Sequence, residues 1–119
     1  MIYSGVSESK LKELDLNHKL ALLAVSRALK GNAFVNINAA EKTYAIVCEE
    51  YGQAARKHTQ FWSYIRDMER NGILATELRS EIETGRVTFI TIPDIPPKEL
   101  AKKLEYLLEL PQLTDDVEW

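Results

Sequence analysis

The sequence predicts a mainly α-helical domain that carries one β-hairpin, and three observations lead there. Apolar residues recur at helical spacing through most of the chain up to Gly72. The period then changes: Ile73 to Ser80 and Arg86 to Ile92 are rich in Thr, Val, Ile and Phe, and they flank Thr84-Gly85. Pro93, Pro96 and Pro97 close the second run, after which Leu100, Leu104 and Leu107 restore helical spacing.

Residues 7–15, Ser7 to Asp15, read as a short lead-in helix anchored by Leu11 and Leu14. The next helix is expected to open at Asn17, a residue suited to capping, and to end at Gly31. Lys19, Ser26 and Lys30 form its polar stripe, while Leu20, Leu22, Leu23, Ala24, Val25 and Leu29 cover most of the remaining circumference. A helix apolar nearly all round is enclosed by other elements, so this one is predicted to be central. Asn38-Ala39-Ala40-Glu41 has capping-box spacing and predicts a helix through Tyr51, stopped by Gly52. Ala40, Tyr44, Val47, Cys48 and Tyr51 share its core-facing side. A further helix is expected from a cap near Thr59 to Asn71-Gly72. Phe61, Ile65 and Met68 form its apolar stripe, with Trp62 and Tyr64 on the flanks. The hairpin tip falls near Glu83 to Arg86, and Pro97 suits the first turn of the last helix. After the short lead-in, three helices, a hairpin and a further helix give the order of a winged helix-turn-helix with an additional C-terminal helix.

Length and composition bound what such a domain does. At 119 residues and 13.6 kDa, the chain suits a single domain, 1–119, with a core about 16–109 and an acidic tail 110–119. Fifteen Lys+Arg against 18 Asp+Glu give a formal charge of −3, which argues against a histone-like blanket of positive charge. The one cysteine, Cys48, cannot form an internal disulfide or a thiolate zinc site, and its place on an apolar face suits a buried, inert thiol. No apolar run approaches the roughly 20 residues that span a bilayer, and Met1-Ile2-Tyr3-Ser4-Gly5 lacks the pattern of a secretory signal. The expectation is a cytoplasmic, nucleoid-associated protein that requires no cofactor, metal or membrane.

No catalytic constellation is present. Phosphate-loop, nucleophile-elbow and zincin motifs are missing, and Glu49-Glu50 and Asp115-Asp116 are adjacent pairs that point apart on a helix. His18 reads as a first-turn residue, and His58 as one that assists a cap or touches phosphate. The helix from Thr59 carries Thr59, Ser63, Arg66 and Arg70 opposite its apolar stripe, with Gln60 and Asp67 at the margin. Such side chains suit base edges and phosphates in duplex DNA, and Arg forks onto guanine O6/N7. Arg56 and Lys57 enter from the preceding loop as phosphate contacts, and Arg79 and Arg86 serve the hairpin. The same pattern also fits a solvated helix face and a solubilising hairpin, for which Asp67, Glu69, Glu81 and Glu83 speak. Residues 53–80 hold five basic and three acidic groups, whereas residues 81–119 hold four and nine. The basic stretch therefore coincides with the DNA-facing candidate.

Several segments resemble the C-terminal winged-helix domain of archaeal replication initiators, the origin-recognition and cell-division-control proteins of the AAA+ class. Leu16-Asn17-His18-Lys19-Leu20-Ala21-Leu22-Leu23-Ala24-Val25 is similar to that domain's opening helix. Tyr44-Ala45-Ile46-Val47-Cys48-Glu49-Glu50-Tyr51-Gly52 resembles the next helix and its glycine stop. The stretch from Phe61-Trp62-Ser63-Tyr64-Ile65 through Gly72-Ile73-Leu74 resembles the recognition helix running into the wing, and Thr84-Gly85-Arg86 sits at the wing tip. The resemblance covers roughly residues 16–92. It implies origin DNA binding by the recognition helix and wing, beside an ATPase module that this chain lacks, so ATP binding is not carried over. Thr59 and Gln60 stand where the family tends to be basic, and the wing tip has one glycine and two nearby glutamates. Both departures predict weaker DNA binding. The alternative the resemblance leaves open is a protein-interaction domain, using Trp62 or the last helix to dock other initiator subunits or the replicative helicase.

Overall fold

The computed structural model describes residues 8–81 and 85–109. Its elements are α1 (Glu8–Glu13), α2 (Leu16–Leu29), β1 (Val35–Asn36), α3 (Ile37–Glu50), α4 (His58–Arg70), β2 (Ala75–Glu81), β3 (Gly85–Thr91) and α5 (Pro97–Glu109). The fold is the expected one, mostly helical with a small antiparallel sheet forming a wing. The expected hairpin tip at Glu83 and the acidic tail fall outside the described residues.

The apolar circumference of α2 makes it the hub. Leu20 through Val25 are fully buried, and α3, α4 and α5 all pack against this helix. Ser26, expected on the polar stripe, is buried as well, and its hydroxyl donates to the Leu22 carbonyl at 2.9 Å. That bond satisfies a hydroxyl that the core encloses.

Two helix starts lie upstream of the expected ones. Asp15, not Asn17, caps α2, its Oδ1 accepting from the His18 amide at 2.8 Å. Asn36, not Asn38, caps α3, its Oδ1 accepting from the Asn38 amide at 2.6 Å. The backbone decides between the candidates. Asp15 and Asn36 have extended conformations (ψ 177° and 138°), as a cap requires, while Asn17 and Asn38 are already helical. Lys57 stands at the start of α4 and makes no side-chain capping bond, which leaves Thr59 inside the first turn rather than at the cap.

Both helices of the helix-turn-helix end as their glycines predict. At α3, Gln53 N donates to Cys48 O at 2.8 Å and Gly52 N to Glu49 O at 3.1 Å. At α4, Ile73 N donates to Met68 O at 2.9 Å and Gly72 N to Glu69 O at 3.0 Å. These are paired Schellman bonds, with Gly52 and Gly72 in the left-handed region at φ 71° and 75°. Buried Ile73 and Met68 supply the apolar contact that accompanies the second. Lys10 of α1 donates to the Asn71 carbonyl at 2.6 Å and braces the same corner.

The wing has a strand that the sequence did not suggest. The order is β1-β3-β2, antiparallel throughout, with Val35 opposite Ile90 and Asn36 opposite Phe89. β2 and β3 pair from Ala75↔Thr91 to Glu81↔Gly85. Leu100, Leu104 and Leu107 of α5 are buried as expected, and Arg27 of α2 binds Glu50 of α3 at 2.7 Å and Glu105 of α5 at 2.9 Å.

Candidate nucleic-acid interface

The outer face of α4 is built from its own periodicity. Phe61, Tyr64, Ile65 and Met68 are buried against the core. Thr59, Ser63, Arg66 and Arg70 fall within a narrow arc on the other side, all exposed. Together with His58 and Trp62 they line one open depression. Gln60 is exposed but lies about a quarter-turn away from that arc, outside the depression. Arg56 and Lys57 are exposed in the turn that leads in.

The turn is held from below by Tyr44. Its ring lies 4.9 Å from Phe61, and its hydroxyl oxygen accepts from the Arg56 amide at 3.2 Å. Burial pushes the Tyr44 phenol up to about 12, so it stays protonated at any physiological pH. His58, expected to assist a cap or touch phosphate, pairs through Nδ1 with Glu41 of α3 at 2.6 Å. That contact ties the two helices of the motif together at the start of α4.

Trp62 divides the face. It is half-buried, its indole lies edge-on to His58 at 6.0 Å, and the Arg66 guanidinium sits 5.7 Å from its ring centroid. This cation–π contact steers Arg66 along the helix surface. A second groove then runs between α4 and the wing, lined by Trp62, Arg66, Glu69, Thr76, Leu78 and Thr88 among others. Glu69 accepts from the Thr76 hydroxyl at 2.9 Å and fixes the wing's angle to α4. Thr76, Leu78 and Thr88 were not among the sequence candidates. Their signal was alternation: Thr76 and Leu78 lie two residues apart on β2, and Leu78 pairs with Thr88.

The arginines fare differently. Arg66 has no carboxylate partner among the described residues, whereas Arg70 lies 3.5 Å from Asp67. Asp67 is itself engaged: His18 Nε2 reaches its Oδ2 at 2.9 Å, and His18 Nδ1 meets Asp15 at 2.7 Å. His18 is thus a bridge from the start of α2 to α4, not merely a first-turn residue. On the wing, Arg86 is exposed and pairs with Ser80, so it shares the sheet face of Leu78 and Thr88. Arg79 occupies the opposite face, its guanidinium 4.1 Å from the Phe34 ring centroid and 5.0 Å from that of Phe89, and near Glu77 at 3.4 Å. The structure therefore gathers Thr59, Ser63, Arg66, Arg70 and the Arg86 side of the wing on one surface, and sets Arg79 apart.

Residues 9–103 match the family model of the CDC6 C-terminal winged helix domain. The chain is 30% identical over 105 residues to an ORC1-type DNA replication protein 2 of Sulfolobus acidocaldarius, covering 80% of this chain and 25% of that protein. It spans less than a third of the length of the curated relatives it matches. Among solved structures, Cdc6p from Pyrobaculum aerophilum superposes with a TM-score of 0.76 at 38% identity, covering 89% of this chain and 27% of that one. The Aeropyrum pernix ORC1 protein, solved in complex with DNA, superposes with a TM-score of 0.71 over 85% of this chain and 25% of its own. At 16% identity that likeness speaks to the fold alone.

Proposed function

Since the chain belongs to the family of CDC6 C-terminal winged helix domains, we propose that it is the module through which an archaeal replication initiator grips duplex origin DNA. The observation that carries this reading is the α4 face. Thr59, Ser63, Arg66 and Arg70 present hydroxyls and guanidiniums in one open depression, with the wing alongside. In this reading α4 enters the major groove, with Gln60 at its edge. Arg56 and Lys57 neutralise phosphates at the entry, and Arg86 follows the backbone from the wing. Arg79 meets a phosphate only on the far side of the wing, where Phe34 and Phe89 hold it. The ORC1 protein of the same fold solved with DNA supports the reading. The setting is the cytoplasm beside the nucleoid, with other initiator subunits or the replicative helicase as further partners.

Duplex binding measured against salt is the test. Arg66→Ala is expected to weaken binding and flatten the salt slope by about one unit, the signature of one lost phosphate contact. If the unaltered domain binds no duplex even at low salt, the proposal fails.

A further inference from the structure

A separate groove lies between the last turn of α2 and the first turn of α5. It shares no lining residue with either depression on α4. Its floor is apolar, formed by Pro96, Pro97 and Ala101, with the stem of Arg27 along one side. Lys30 and Lys98 stand at the rim, both exposed. No carboxylate among the described residues lines the groove. The Arg27 guanidinium is already matched by Glu50 and Glu105. Lys30 and Lys98 have no ion-pair or hydrogen-bond partner among the described residues. Among the described residues the groove thus combines an apolar trough with two ammonium groups that have no carboxylate partner. A phosphate backbone would use the lysines and leave the proline floor idle, whereas a peptide with both carboxylates and apolar side chains uses both.

We infer that the α2–α5 groove docks a short acidic peptide segment of a partner protein. Its apolar side chains rest on Pro96, Pro97 and Ala101, and its carboxylates meet Lys30 and Lys98. The inference stands apart from the reading of α4.

The probe is a fluorescein-labelled peptide of glutamate and leucine, titrated into the full chain by anisotropy, with a lysine–leucine peptide as control. The acidic peptide is expected to bind and the basic one not. Lys30→Glu with Lys98→Glu is expected to weaken acidic-peptide binding by about tenfold or more. These exposed substitutions leave the fold intact by circular dichroism, and they leave duplex binding unchanged. Ala101→Glu, which puts a charge on the floor, gives the same loss. Equal binding of both peptides, or binding indifferent to the lysines, overturns the inference. A fall in duplex binding in the double variant would assign the groove to nucleic acid instead. Peptide binding that appears only after residues 110–119 are removed would make the chain's own acidic end the occupant. Self-association abolished by the same variant would make it a second copy.

Discussion

His18 shows how much one side chain can join. Burial alone would depress its imidazole, but the hydrogen bonds to Asp15 and Asp67 outweigh burial and hold its pKa above the usual 6.5. Since the unfolded value is the lower one, the bridge contributes fully below pH 6.5 and fades as pH rises through the folded value. Asp15 shifts the other way. Burial opposes ionisation there, but hydrogen bonds from His18 prevail and hold its carboxyl below 3.8. Its share is therefore present above pH 3.8 and lost only as pH falls through the lowered value. Urea midpoints of the wild type are expected to decline as pH rises past 6.5, with a flatter profile for His18→Gln. Parallel profiles would remove His18 from the pH response. None of this was legible in the sequence, because Asp67 lies 49 residues from His18 and only the packing of α2 on α4 brings them together. Cys48, by contrast, was legible. Its position on the apolar face of α3 was enough to place it in the core.

Among the elements, those set by period and punctuation were readable, and those set by partners were not. The three long helices that precede the wing and the two strands of its hairpin follow from apolar spacing and from Gly31, Gly52 and Gly72. β1 has two residues and no period of its own; it exists because β3 offers Ile90 and Phe89 to Val35 and Asn36. The caps moved for a related reason. Asp15 and Asn17 are both competent caps in isolation, and the extended backbone at Asp15 selects it. Gly72 gives the element-scale prediction. At φ 75° an added Cβ meets only Lys10 Nζ at 3.8 Å, an ordinary contact, so the penalty of Gly72→Ala is conformational rather than steric. It is expected to cost roughly 1 kcal/mol in unfolding free energy. Since the same residue stands at the corner between α4 and the wing, duplex affinity should fall with it. An unchanged urea midpoint would mean that the corner tolerates a side chain.

For the whole molecule, stability and recognition occupy different places. The core centres on α2, so Leu23→Ala, which empties a fully buried position, is expected to cost about 2–5 kcal/mol. Leu78→Ala, at a side chain 52% exposed in the groove beside α4, should stay within about 0.5 kcal/mol. Equal losses in chemical denaturation would contradict this division. The winged-helix class was legible because its element order survives any error in boundaries. The recognition surface was legible only in part: α4 showed its arc of Thr59, Ser63, Arg66 and Arg70, while the sidedness of Arg79 depended on a register that no local pattern reveals. The same register makes Asn36 both the last residue of β1 and the cap of α3. Mechanically, the wing is a cantilever clamped at that residue. A load on the hairpin passes through two rungs of β1 into the first turn of α3, and from Glu41 across to His58 at the root of α4. A continuous path of backbone pairing and one ion pair therefore joins the wing to the root of the helix beside it.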